Sequence, residues 1–181
     1  MNEGGAADGG SSPSRGEASE PDRGDTGLLI RPARVADIAA VMRVMEAAFD
    51  PIYGEAWNSA QLLTLFALPS AHVAMAIIGD RVCGFYAARM AGPETELLLI
   101  AVHPENRQAG IGRFLLEDWQ SWAANKGAED YFLEMRADNK AVGMYKAAGF
   151  SECGRRAAYY RGGDGVVRDA ITMRKIISGT S

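Results

Sequence analysis

Arg107, Gly110 and Gly112 stand in an Arg-x-x-Gly-x-Gly run, between an apolar stretch ending at Val102 and a segment of helical period starting at Phe114. That arrangement presents backbone N–H groups to an anion. Glycine lacks the Cβ that would block close approach, and the first helical turn carries donors with no internal partner together with the positive end of the helix dipole. The run Arg107, Gln108, Ala109, Gly110, Ile111, Gly112 and Arg113 is therefore the candidate phosphate-binding loop, with two guanidinium groups bracketing it. A P-loop would require Lys and then Ser or Thr after the last glycine, where Arg113 and Phe114 stand. A dinucleotide fingerprint would require a third glycine at position 115, which is leucine. The plain alternative is an ordinary glycine-containing turn.

Two further side chains can move protons. Glu134 lies on a segment that alternates Tyr131, Leu133 and Met135 with Phe132, Glu134 and Arg136, the period of a strand. It could take a proton from an amine; its bland alternative is a solvated strand carboxylate paired with a lysine. Tyr145 sits on a short helical segment and, with a phenol pKa of about 10, could donate to a leaving group. Its bland alternative is a half-buried helix tyrosine packed beside Phe150.

The elements that position these residues follow from punctuation and period. Leu28 to Pro32 reads as a short strand. A helix carries Ile38, Val41, Met42, Met45 and Phe49, and stops at Asp50-Pro51. A looser segment from Ile52 to Trp57 leads to a cap at Asn58-Ser59 and a second helix through Leu62, Leu63 and Phe66. Strands His72–Ile78 and Val82–Met90 flank the turn Gly79-Asp80, and Gly92-Pro93 turns into a strand at Glu96–Val102. After the loop come a helix over 114–125, a strand over 131–136, a short helix over 140–148, and strands over 151–160 and 166–176 about the Gly162-Gly163-Asp164-Gly165 turn. This order predicts a single α/β domain over residues 28–177, a mixed sheet flanked by helices.

Residues 1–27 differ in composition, being rich in glycine, serine and acid. Six acids against two arginines there account for the whole chain's net charge of −4. The segment reads as a disordered leader, and 178–181 as a short tail. A formally neutral body argues against nucleic-acid binding. No apolar run reaches the roughly 18–20 residues of a membrane span, and no signal peptide is visible. Two cysteines fit reduced thiols of a cytoplasmic protein, and two distant histidines offer no metal site. Nothing in the chain sets its oligomeric state.

Taken with three other segments, the loop resembles the GNAT superfamily of N-acetyltransferases over residues 28–177. Those segments are Leu133-Glu134-Met135-Arg136-Ala137, Met144-Tyr145 through Gly149-Phe150, and Arg155-Arg156-Ala157-Ala158-Tyr159-Tyr160 followed by Asp169-Ala170-Ile171-Thr172-Met173. The last of these is similar to the RimI-type ribosomal-protein-alanine N-acetyltransferases.

The resemblance implies a mostly antiparallel central sheet and acetyl-CoA as acetyl donor. It implies that the loop holds the pyrophosphate and that the backbone of Ile100, Ala101 and Val102 contacts the pantetheine and thioester. It further implies Glu134 as base, Tyr145 as acid, and the N-terminal amine of a small-subunit ribosomal protein as acceptor. Acetyltransfer to a small-molecule amine and a non-catalytic coenzyme A-binding module are the alternatives. One departure stands out: Asn139 precedes Tyr145 by six residues where the family spaces its cofactor-contacting asparagine by seven, and Asp138 fills the seventh place.

Overall fold

A computed structural model describes residues 27–177. Seven strands form one sheet in the order β1-β2-β3-β4-β5-β7-β6. The strands are β1 (Leu28–Pro32), β2 (Ala71–Ile78), β3 (Arg81–Ala91), β4 (Glu94–Val102), β5 (Asp130–Arg136), β6 (Ser151–Arg161) and β7 (Val167–Ile176). Only β4 and β5 run parallel, because α3 (Ile111–Ala124) crosses between them. The sheet is thus mixed and mostly antiparallel, as the resemblance implied. Residues 1–26 of the leader and the last four residues lie outside the described residues.

Helices cover both faces. On one side α1 (Ile38–Ala48) and α2 (Ser59–Phe66) pack Val41, Val44, Met45 and Leu62 onto Val73, Met75, Phe85 and Ala87. On the other, α3 and α4 (Val142–Ala147) pack Leu115, Leu116, Trp119 and Tyr145 onto Ala74, Tyr86, Tyr131, Leu133 and Met173. Trp119 is fully buried, so its indole N–H needs a partner; it donates to the Thr95 hydroxyl at 3.1 Å. Both cysteines are free thiols, Cys83 buried and Cys153 exposed.

Boundaries moved where side chains or glycines intervened. The third helix begins at Ile111 rather than 114, since Gly110 in the left-handed region caps it directly and its carbonyl accepts from the Arg113 and Phe114 N–H groups. The short fourth helix loses its first two expected residues. Asn139 Oδ1 accepts the Ala141 N–H at 2.9 Å, holding that stretch as a side-chain-capped turn.

Two irregularities shape the cleft. The β3–β4 register shifts between Ala87 and Ala88, which pair with Leu99 and Leu97 and leave Leu98 as an extra residue. Leu98 and Leu99 consequently pack toward the α1–α2 face together, whereas Leu97, Ile100 and Val102 pack toward α3. The β4–β5 pairing, for its part, covers only Glu94–Leu97 against Asp130–Leu133. Beyond it β4 keeps β3, β5 keeps β7, and the two strands part.

Candidate active site

The parted strands bound a cavity of about 320 Å³. Its floor is Leu97–Ile100 from β4 and Leu133–Met135 from β5, with Asn139 and Tyr145 beside them; Phe49, Glu55, Trp57, Gln61 and Tyr160 close the other side. Strand alternation places Glu134 and Tyr145 on opposite faces. Leu133 and Met135 join the core that contains Tyr145, so Glu134 points to the α1–α2 side.

The side chain of Glu134 is 23% exposed and accepts a hydrogen bond from the Arg156 guanidinium. The lysine of the bland alternative is thus an arginine, brought from β6. Arg156 in turn lies 4.1 Å from the Tyr159 ring centroid. A break in the β6–β7 register between Arg156 and Tyr160 sets this geometry. At that break Ala158 adopts φ +55°, and its N–H donates to Asp169 Oδ1 at 3.0 Å.

Tyr145 is buried, its ring edge-on to Phe150 at 6.2 Å. Burial alone pushes its hydroxyl well above the ordinary phenol range, so it holds its proton at any physiological pH. Asp138 and Asn139 differ in their partners. Asp138 accepts from Arg136 and Arg168, whereas Asn139 lines the cavity.

At the far end of β4, Gln108 and Gly110 both have positive φ, 66° and 76°. Left-handed residues alternating in this way turn successive N–H groups to one side, the concavity that binds anions. Among the described residues the N–H groups of Gln108, Ala109, Gly110, Ile111 and Gly112 find no carbonyl partner. A Cβ at Gly112 would lie 3.3 Å from Met144 Sδ, a tight contact that the methionine would have to ease by shifting. Arg107 behaves differently from its neighbours. Its guanidinium donates to Ala48 O at 2.9 Å and Val102 O at 3.4 Å, tying the loop to the end of α1. Arg113 is exposed and pairs with Glu117 at 3.5 Å. Of the three strand residues expected at the donor, Ile100 lines the cavity; Ala101 is buried in the α1–α2 core, and the Val102 side chain comes within 3.8 Å of the Cβ position at Gly112.

The family model described as "Acetyltransferase (GNAT) family" matches residues 41–150, a range that holds the glycine loop, the start of α3 and the split between β4 and β5. The chain belongs to the GNAT acetyltransferase family. As a GNAT protein it is an acetyltransferase.

It is 36% identical over 100 residues to the ribosomal protein bS18-alanine N-acetyltransferase of Salmonella typhimurium, covering 55% of this chain and 67% of the relative. It is 34% identical over 124 residues to the N-alpha-acetyltransferase RimI of Mycobacterium tuberculosis, covering 66% of this chain and 75% of the relative. Among solved structures, the ribosomal-protein-alanine N-acetyltransferase of Escherichia coli superposes with a TM-score of 0.77 at 26% identity, over 85% of this chain and 96% of the other. Ard1 of Thermoplasma volcanium gives 0.72 at 25%, over 84% and 99%.

The GNAT frame also shows what sequence reasoning missed. Phe49, Glu55, Trp57 and Gln61 line the cavity from the α1–α2 connection and the start of α2. The available signal was an acid and a tryptophan in a connection with no apolar period, where binding residues often sit. Among the described residues no group of three or more His, Cys, Asp or Glu could hold a metal ion, and no helix is long and apolar enough to cross a membrane.

Proposed function

We propose that this acetyltransferase moves the acetyl group of acetyl-CoA to the N-terminal amine of a protein, with the N-terminal alanine of a small-subunit ribosomal protein as its acceptor. The observation that carries the reading is the placement of Glu134 and Tyr145 on opposite faces of one cleft, at the point where β4 and β5 separate. The acceptor class is supported by the activities of the Salmonella and Mycobacterium relatives.

The residues present fit acetyl-CoA. Five N–H groups of 108–112 would hold the pyrophosphate, with the exposed Arg113 nearby, while Arg107 shapes the loop through its carbonyl contacts. The edge that β4 leaves open beyond Leu97, around Ile100 to Val102, can pair with pantetheine amides as an added strand would, and Asn139 can donate its amide. When bound, acetyl-CoA supplies an activated thioester carbonyl. An α-amino group has a pKa of roughly 7.7–8.0 and is mostly protonated at neutral pH. Glu134 accepts its proton, directly or through one water, and a β4 backbone N–H polarises the carbonyl. Tyr145 gives its proton to the departing sulfur. A ribosomal-protein acceptor places the enzyme in the cytoplasm.

The test is acetyl transfer to synthetic peptides starting with alanine, serine or a blocked residue, read by mass spectrometry. Transfer to the free alanine amine is the expected result. Transfer to lysine side chains or small amines in preference to the α-amine would overturn it.

A further inference from the structure

The α1–α2 connection is gripped from strands with which it shares no ladder. Tyr53 ends the short 3-10 turn Pro51–Tyr53, and its ring faces two guanidinium groups. Arg136 Cζ from β5 lies 3.5 Å from the ring centroid and Arg168 Cζ from β7 lies 4.9 Å away. Carboxylates hold both arginines in place. Glu55 accepts from Arg136 Nε at 2.8 Å, Asp138 bridges Arg136 at 2.8 Å and Arg168 at 3.1 Å, and Asp164 takes Arg168 at 2.6 Å. The tip of the β6–β7 hairpin joins them, its Gly163 N–H donating to Ile52 O at 2.6 Å.

This arrangement has a direction. Asp50 fixes the entry to the turn by accepting the Ile52 N–H at 3.0 Å. Gly54, at φ +63°, reverses the chain straight after Tyr53 and delivers Glu55, Ala56 and Trp57 to the cavity on the Glu134 side. The Arg136 side chain is only 9% exposed, and a cation over an aromatic face gains most where water is excluded. Arginine also stacks as a plane, which lysine cannot do. The donor loop at 107–112 takes no part in these contacts.

We propose that Tyr53, clamped by Arg136 and Arg168, is a positioning residue that fixes the acceptor-side wall of the cleft and so sets how tightly the acceptor is held. In its kinetic arm this rests on the peptide-acceptor reading above; its structural arm does not.

The experiment compares Tyr53→Leu, which keeps apolar bulk but loses the π face, with Tyr53→Phe, which keeps the face and loses the hydroxyl. Hydrogen exchange of the full chain and kinetics with an alanine-initiated peptide are measured for both. In Tyr53→Leu, the hydrogen-bonded amides of Ile52, Tyr53, Gly54 and Gly163 exchange faster while those of Arg113 and Phe114 at the start of α3 do not. Peptide KM rises roughly 2- to 30-fold, the span of one or two cation–π contacts, with kcat and the acetyl-CoA Kd within about twofold of wild type. Tyr53→Phe matches wild type in both readouts. Unchanged exchange in Tyr53→Leu overturns the proposal, as does a Phe variant that behaves like Leu. A common loss of peptide and acetyl-CoA binding also overturns it, because general loosening then explains the data. If the wild-type chain acetylates no such peptide, the acceptor reading fails, and the exchange comparison still decides the clamp.

Discussion

Glu134 and Tyr145 reach the cleft by different routes, and their substitutions should report different protons. Glu134→Gln keeps size and hydrogen bonding but cannot take the amine's proton. Its turnover should fall about 10²–10⁴-fold, with acetyl-CoA affinity retained. Raising the pH supplies free amine, so the deficit should shrink between pH 6 and 9 in a pH–rate profile. Tyr145→Phe should lose turnover in the same range without that rescue, since its proposed task is to protonate sulfur. Wild-type rates for both variants would remove the catalytic assignment. Glu134 was legible because strand alternation sets it apart from three buried neighbours. Its arginine partner was not, because Arg156 faces it only through a register break in β6. A second carboxylate carries a stability prediction. Asp37 accepts from Arg31 at 2.8 Å and from the Arg34 N–H, and these bonds hold its pKa at about 2. That lies below the roughly 3.9 of an unfolded aspartate, so the stabilisation is complete above about pH 4 and lost as pH falls through about 2. Asp37→Asn should melt slightly below wild type at pH 7, and thermal scans should show the difference closing toward pH 2.

At the scale of elements, the loop that starts α3 was readable and its reach was not. Glycine spacing announced a tight turn before a helix. That the turn is itself the first helical turn depends on Gly110 adopting φ +76°. An L-residue there costs about 1–2 kcal/mol, or roughly tenfold in an equilibrium. Gly110→Asp adds a negative charge where the pyrophosphate is proposed to sit, so acetyl-CoA affinity should fall by about tenfold or more in calorimetry. At Gly112 the obstacle is packing. Valine would press on Met144 Sδ and Val102, pushing the loop off α4 and weakening acetyl-CoA binding while far-UV circular dichroism stays native. Unchanged affinity in a folded Gly110→Asp protein would mean the anion sits elsewhere. The extra residue at Leu98 was invisible in sequence. Six apolar residues from Leu97 to Val102 satisfy a straight buried strand as well as a bulged one, and only the β3 register distinguishes them.

At the scale of the molecule, order along the chain was legible and closure across it was not. Glycine, proline and capping residues separate the elements, so their sequence could be read in turn. The contacts that make the site join distant positions: Arg136 to Glu55 across 81 residues and Arg107 to Ala48 across 59. No local period encodes them. The same architecture leads to a prediction about the whole fold. Among the described residues, the strand ladder that joins the β1–β4 half to the β5–β7 half runs only along Glu94–Leu97 and Asp130–Leu133, and beyond it the two strands part. A donor seated in the gap touches both halves and requires the folded loop, so it binds the native state and not the unfolded chain. Linkage then gives about 2.7 kcal/mol of added stability at a hundredfold excess over Kd. For a domain of this size each kcal/mol raises Tm by about 2–4 °C, so acetyl-CoA at that excess should raise Tm by about 5–11 °C. Coenzyme A without the acetyl group should do nearly as well, because the pyrophosphate is the group the loop N–H donors are proposed to hold. Gly110→Asp should show a much smaller shift at the same concentration. A wild-type melting curve that does not move with either ligand would separate this chain from donor binding altogether, whatever its fold.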